Sequence, residues 1–241
     1  MPEFVRCLWG DPTLPGDDKH PRGAHKIRAD CQQALREQAV IEPAVVYVFG
    51  MDNYEFLKSI GYNKNQLVVL SSRGMVWPRE QQFRHKLEVW RQAANSLGEF
   101  VFLDFGDLWI EKPMPSDFWP RLRQKGTLQA NLRYYHRKQL PWRKVEPRKV
   151  PSAAWVYMAD AWHAEAMLDI WDKNPAWTEQ QCMAFHMDQL MGGWDSTAAY
   201  PGVSIGLQNY EQKFAPYCCT FYNDATSAAF QRTKVELFRI K

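Results

Sequence analysis

Short unbroken apolar stretches alternate along the chain with longer stretches whose apolar residues recur every three or four positions. The unbroken ones are FVRCLWG (4–10), AVVYVFG (44–50), NQLVVLSS (65–72), EFVFLDFGD (99–107) and SAAWVYMAD (152–160), all of strand length. Helical spacing appears in 25–40 through Ile27, Cys31, Leu35 and Ala39, in 51–62, and in 161–173. In 80–98 it places Phe83, Leu87, Trp90, Ala94 and Leu97 on one face, with Gly98 as the stop. Thr178 and Gln181 form the T-x-x-Q signature of a capping box, opening a helix whose apolar face holds Met183, Met187, Leu190 and Met191. Strands alternating with helices predict an α/β fold: one Rossmann-like domain over 1–241, with a central, mostly parallel sheet flanked by helices. Continuous apolar strands imply cover on both faces, and ligands of such sheets sit at the carboxyl ends of the strands. The tail, 201–241, mixes aromatic and polar residues without a clear period.

Composition adds limits. With 241 residues, 46% hydrophobic and 24% charged, the chain suits a globular domain with a substantial core. No run approaches the ~20 apolar residues of a membrane span, and MPEFVRCLWGD lacks a secretion-signal pattern, so it reads as the mature start. Five cysteines, two of them adjacent at Cys218 and Cys219, fit reduced thiols and a cytoplasmic location, and no Cys/His spacing suggests zinc. Charge is unevenly placed. Residues 121–149 hold ten Lys or Arg against the single acid Glu146, so this segment carries +9 of a chain whose net charge is +3. Arg133, Arg137, Lys138, Arg143 and Lys144, interleaved with Tyr134, Tyr135 and Trp142, have the footprint of a nucleic-acid-binding loop. A solvated loop is the plainer reading of the same run.

Chemistry concentrates where EFVFLDFGD ends. Asp104 and Asp107 interrupt an apolar strand at its carboxyl end, and a carboxylate there needs a counter-charge. Mg2+ or Mn2+ would supply one, since these ions take oxygen ligands and bridge carboxylates to substrate phosphates. An arginine partner for Asp104 and a simple turn role for Asp107 account for the pair equally simply.

With FRHKLEVWRQAANSLGEFVFLDFGDLWIEKPMP and the later SAAWVYMAD…TEQQCMAFHMDQL, the chain resembles nucleotide-sugar glycosyltransferases of the GT-A fold over roughly residues 4–194. The resemblance implies a donor half, 1–113, and an acceptor half, 114–241, containing the basic segment. It implies that Asp104 binds the donor ribose or metal, that Asp107 is a metal ligand, and that Lys86 lies near the diphosphate. Leu8, Trp9, Gly10 and Asp11 would lie beside the nucleotide, and Asp188 would be the acceptor-side catalytic acid. Here the chain departs from the family's Asp-x-Asp, because Gly106 widens the spacing to Asp-x-x-Asp. No histidine follows His186 to serve as the family's C-terminal ligand, leaving Asn223 or Asp224 as an oxygen substitute.

The expected activity is metal-dependent transfer of a sugar from a nucleoside-diphosphate sugar to an acceptor hydroxyl. The basic segment points to a hydroxymethylated base in DNA, as in viral DNA-modifying members, with the host cytoplasm as the location in that case. Three alternatives stay open: a protein or glycan acceptor, a nucleotidyltransferase, and a non-catalytic nucleic-acid-binding module. The loop GDPTLPGDDKHPRG, with its acids and prolines, makes a poor triphosphate cradle and counts against the second.

Overall fold

The computed structural model describes residues 3–10, 44–104, 108–110, 116–124, 126–134, 140–142, 149–191, 203–204 and 218–220. A seven-stranded sheet runs through them. Its strands are β1 (Glu3–Leu8), β2 (Val45–Phe49), β3 (Leu67–Ser71), β4 (Phe100–Leu103), β6 (Leu128–Tyr134), β7 (Lys149–Met158) and β8 (Val203–Ser204), in the order β3-β2-β1-β4-β7-β6-β8. Only β7 runs against the others, pairing antiparallel with both β4 and β6. The expected α/β architecture with a mostly parallel sheet is therefore observed. A separate ribbon pairs β5 (Leu108–Ile110) with β9 (Cys218–Thr220).

Strand alternation sends successive side chains to opposite faces, and each face has its own core. Val5, Cys7, Phe100, Phe102, Val156 and Met158 meet one layer of helices. That layer consists of α2 (Arg84–Leu97), α4 (Ala161–Lys173) and α5 (Glu179–Met191), which supply Leu87, Trp90, Met167, Trp171, Met183 and Met187. Phe4, Val101, Leu103 and Tyr157 meet Phe118 and Leu122 of α3 (Phe118–Gln124) on the other face. The first helix, α1 (Met51–Ser59), lies against β2 and β3. Cover on both faces holds for β1, β2 and β4. It fails at the edge strand β3, where Val68 and Val69 are exposed.

Capping signals set the helix ends. Asp160 accepts from the Trp162 N–H at the start of α4. The Thr178–Gln181 box closes from both sides, at 2.8 and 3.2 Å. Gly98, at φ 81, ends α2 and donates to the Ala94 carbonyl. The expected helix 80–98 starts later than its apolar pattern, at Arg84, because Arg79–Gln81 form a separate 3-10 turn after Pro78. The expected helix 25–40 lies outside the described residues. No described helix is long and apolar enough to cross a membrane.

The basic segment is not one loop, which corrects the sequence expectation. Its start belongs to α3, where Arg121 pairs with Asp117 and Arg123 with Glu99. Its middle is β6, with Leu128 and Ala130 in the core and Gln129 buried beside them. The β6–β7 register jumps, from Ala130↔Val156 to Asn131↔Ser152, while β4 stops opposite Trp155. Residues Asn131–Tyr134 and 149–152 therefore form a two-stranded overhang beyond the end of β4.

Three buried histidines give the fold an acid limit. His85 Nδ1 donates to the Gln82 carbonyl at 2.6 Å, and its Nε2 accepts the Val76 N–H at 3.0 Å, so the ring is satisfied only when neutral. His163 and His186 contact each other at 2.9 Å, with Thr127 Oγ1 on the far nitrogen of His163. Burial pushes all three down to about 4 from the ordinary 6.5, and His163 adds to the shift at His186. Because the unfolded chain takes up these protons first, stability is full above pH 6.5 and falls as pH drops toward 4. The expected slope is up to about 1.4 kcal/mol per pH unit for each histidine. Urea denaturation at pH 7, 6 and 5 measures it, and a flat profile would show that the folded rings accept protons freely.

Candidate functional site

At the carboxyl end of β4 the chain leaves the sheet at Asp104, directly beside the end of β1. Strand order reverses between β1 and β4, since β2 and β3 follow on one side and β7 on the other. Such a reversal opens a crevice in which α/β sheets bind ligands.

Asp104 is gripped from both faces of the sheet. Arg6, 1% exposed in the middle of β1, donates from Nη1 to the Asp104 backbone carbonyl at 3.0 Å. From the opposite face, Lys86 of α2 places Nζ 2.5 Å from Asp104 Oδ1 and 2.9 Å from Oε1 of Glu179, the first residue of α5. Side-chain exposures are 4% for Lys86, 8% for Glu179 and 21% for Asp104, so only the aspartate reaches the surface. Burial by itself would push the Lys86 ammonium down. The carboxylates of Asp104 and Glu179 overcome that and hold it above the ordinary lysine value. The Phe102 ring, 5.4 Å from Nζ, adds a cation–π contact. Cys7 is buried beside this group, and burial drives its thiol well up, so it stays protonated.

These distances revise several expectations. Lys86, expected near a diphosphate, is enclosed, with two carboxylates on its ammonium. Leu8 and Trp9 are buried, and Trp9 stacks on His85 with ring planes 1° apart. Gly10 has both backbone groups engaged, its N–H on the Gly74 carbonyl at 2.7 Å and its carbonyl on Asn53 Nδ2 at 2.8 Å. Those three residues pack beneath the place where a switch-point crevice would lie, as its floor. Gly50, at φ 96, completes that floor, because a Cβ there would come within 2.8 Å of Gly74 Cα.

Asp188 is also displaced from its expected role. It lies nine residues beyond Glu179 on α5, about 13 Å along the helix axis, past the His186 that contacts the amino-end pole through His163 and Thr127. Its Oδ2 accepts from Trp142 Nε1 at 2.7 Å. Trp142, expected to bind nucleic acid, is half-buried against Trp177 and Phe185 at 4.8 and 5.1 Å between ring centroids. Asp188 therefore ties down a packed tryptophan, too far along its helix to act at Asp104.

Arg133 and Tyr134 lie on β6, in the overhang. Asp11, Asp107, Tyr135, Arg137, Lys138, Arg143, Lys144 and Asn223 lie outside the described residues. Sequence reasoning missed Arg6 and Glu179. Arg6 carried a signal, a cation inside an apolar strand. Glu179 carried none beyond its place in a first helical turn.

Among the described residues no group of three or more His, Cys, Asp or Glu is placed to hold a metal. Asp104 nonetheless fits as a single ligand. Its Oδ1 is taken by Lys86 and nothing described bonds Oδ2, an arrangement suited to Mg2+ or Mn2+ ions whose other ligands are phosphates and water. At the opposite pole a cleft of about 470 Å3 opens around Glu99, Arg123 and Tyr157, sharing no residue with the Asp104 group.

No protein-family model matches the chain, and no curated protein matches it. Among solved structures it is similar to a UTP-bound UGPase from Acinetobacter baumannii, with a TM-score of 0.47 and 11% identity over 99% of this chain and 93% of that one. It is also similar to the 4-diphosphocytidyl-2C-methyl-D-erythritol synthase of Anaerococcus prevotii (TM-score 0.46, 10% identity, covering 98% and 96%). Mouse xyloside xylosyltransferase 1 in its apo form overlaps with a TM-score of 0.44 at 8% identity, covering 79% and 82%. Overlaps this loose assign neither substrate nor reaction.

Replacing Lys86 by methionine leaves the buried Glu179 carboxylate and the partly buried Asp104 without their counter-ion. The expected loss is about 3–5 kcal/mol of unfolding free energy at pH 7. Urea titrations of both proteins at pH 7 test this, and a loss below about 1 kcal/mol would remove the ammonium from the structural core.

Proposed function

We propose that this protein is a nucleotide-sugar-dependent glycosyltransferase that moves a sugar from a nucleoside-diphosphate donor to an acceptor hydroxyl, with its donor site at the Asp104 crevice. The observation that carries the reading is the aspartate itself. It stands at the topological switch point, gripped by two buried cations on one oxygen and its carbonyl, with its other oxygen bonded by none of the described residues. A surface carboxylate serving stability alone gains little from being fixed this way. One that must meet a ligand gains alignment at no cost at the moment of reaction.

In this reading Asp104 would hold Mn2+ or Mg2+, with Asp107 and Asn223 as further ligands suggested by the sequence resemblance. Such an ion would supply electrostatic stabilisation to a leaving diphosphate. Lys86 fixes the Asp104 side chain, Arg6 fixes the backbone that carries it, and the floor of Trp9, Gly10, Asn53 and Gly74 sets the depth of the crevice.

For the acceptor, our reading is a hydroxyl-bearing base in DNA. Support comes from charge and topology together. β6 ends, and β7 begins, at the same pole as Asp104, so the basic connection 135–148 starts and ends beside the donor crevice. Arg121 and Arg123, paired within the protein, drop out of that surface.

A thermal-shift panel of sugar nucleotides with Mn2+ tests the donor class: a true donor at 100 times its dissociation constant should stabilise by about 2.7 kcal/mol. Asp104→Asn should abolish that shift and the Mn2+-dependent release of nucleoside diphosphate. Consumption of a nucleoside triphosphate and a sugar phosphate would instead identify a nucleotidyltransferase. For the acceptor, contact with about six phosphates gives a log–log salt slope near −5 in DNA binding. Undetectable or salt-insensitive binding would remove DNA.

A further inference from the structure

Lys86 has two carboxylates where one would satisfy it. Its ammonium is enclosed, 4% exposed, with Asp104 Oδ1 at 2.5 Å and Glu179 Oε1 at 2.9 Å. A buried ammonium must always have a partner, because stranding it costs several kcal/mol. If Asp104 were its sole partner, any cation drawn to Asp104 would compete with Lys86, and the lysine could not yield.

Glu179 changes that balance. It is 8% exposed, lies 2.9 Å from Nζ, and is fixed by the capping box that starts α5. Its own surroundings give it no route to solvent comparable to that of Asp104 at the rim. We infer that Glu179 is a positioning residue that frees Asp104 for a divalent cation, by standing ready to hold the Lys86 ammonium alone. The inference rests on the proposed donor site and names what makes its aspartate available. With both carboxylates on Nζ, the ammonium keeps a partner when one of them turns away, and the geometry makes that one the outer residue. Glu179 also brings the second half of the chain into the site, since α5 follows β7 while Lys86 and Asp104 precede it. It touches neither donor nor cation.

The test is direct Mn2+ binding to the full chain, read as loss of the free-ion signal in electron paramagnetic resonance, with no turnover required. In Glu179→Gln, Lys86 has only Asp104, and Mn2+ affinity should fall at least tenfold. Glu179→Asp should retain affinity within about threefold. The double variant Lys86→Met/Glu179→Gln removes ammonium and spare carboxylate together and should recover most of the loss, which a merely structural role for Glu179 would not produce. Circular dichroism confirms that each variant is folded. Wild-type affinity in Glu179→Gln, together with a loss in Asp104→Asn, overturns the inference and leaves the donor site standing. No recovery in a folded double variant also overturns it. Mn2+ uptake that is absent from the wild type, or indifferent to Asp104→Asn, overturns the metal reading and this inference with it.

Discussion

One ammonium, enclosed between two carboxylates, fixes the geometry on which the site depends. Lys86, Asp104 and Glu179 come from α2, the end of β4 and the start of α5, and their contacts at 2.5 and 2.9 Å leave little room for relative movement. Charge attraction in a low-dielectric interior is strong, and desolvating the charges is costly, so the group is stable only when complete. Arg6 extends the same constraint through the sheet to its other face. The result is a carboxylate whose Oδ1 is immobilised by Lys86 and whose Oδ2 is bonded by none of the described residues.

Topology puts that carboxylate where it can be used. Six of the seven strands point the same way, so their carboxyl ends and the loops that follow them gather at one pole. The single reversal, β7, carries the chain away from that pole and delivers α4 and α5 back across one face. Glu179 reaches Lys86 because α5 begins where the return is complete. The cleft at Glu99 and Arg123 faces the other way and belongs to a different chemical neighbourhood.

Much of this was legible in the residue pattern, and the failures have physical causes. Helix α4 was read over its range, 161–173, from its apolar spacing, and the start of α5 because Thr178 and Gln181 cap it. Asp104 stood out as a charge at the end of FVFL. Strand β6 was lost because the charge of its surroundings masked a real alternation, with Leu128 and Ala130 in the core. Lys86 shares the buried face of α2 with Trp90 and Ala93 by its spacing, yet a lysine there reads as solvated unless its partners are known. Those partners lie on other elements, and pairings between distant positions leave no mark in local periodicity. Trp142 was misread for the same reason: its neighbours Trp177 and Phe185 come from the far side of β7 in sequence.

The overhang of β6 and β7 separates two lengths that most sheets keep equal. Past Trp155 the ribbon has no third strand beside it among the described residues, and its span grows by about 3.3 Å for each pair it contains. Two more pairs would carry its tip some 7 Å outward with the crevice at Asp104 untouched. Descendants of this chain are thus free to vary how far they grasp while the machinery at the base is held constant.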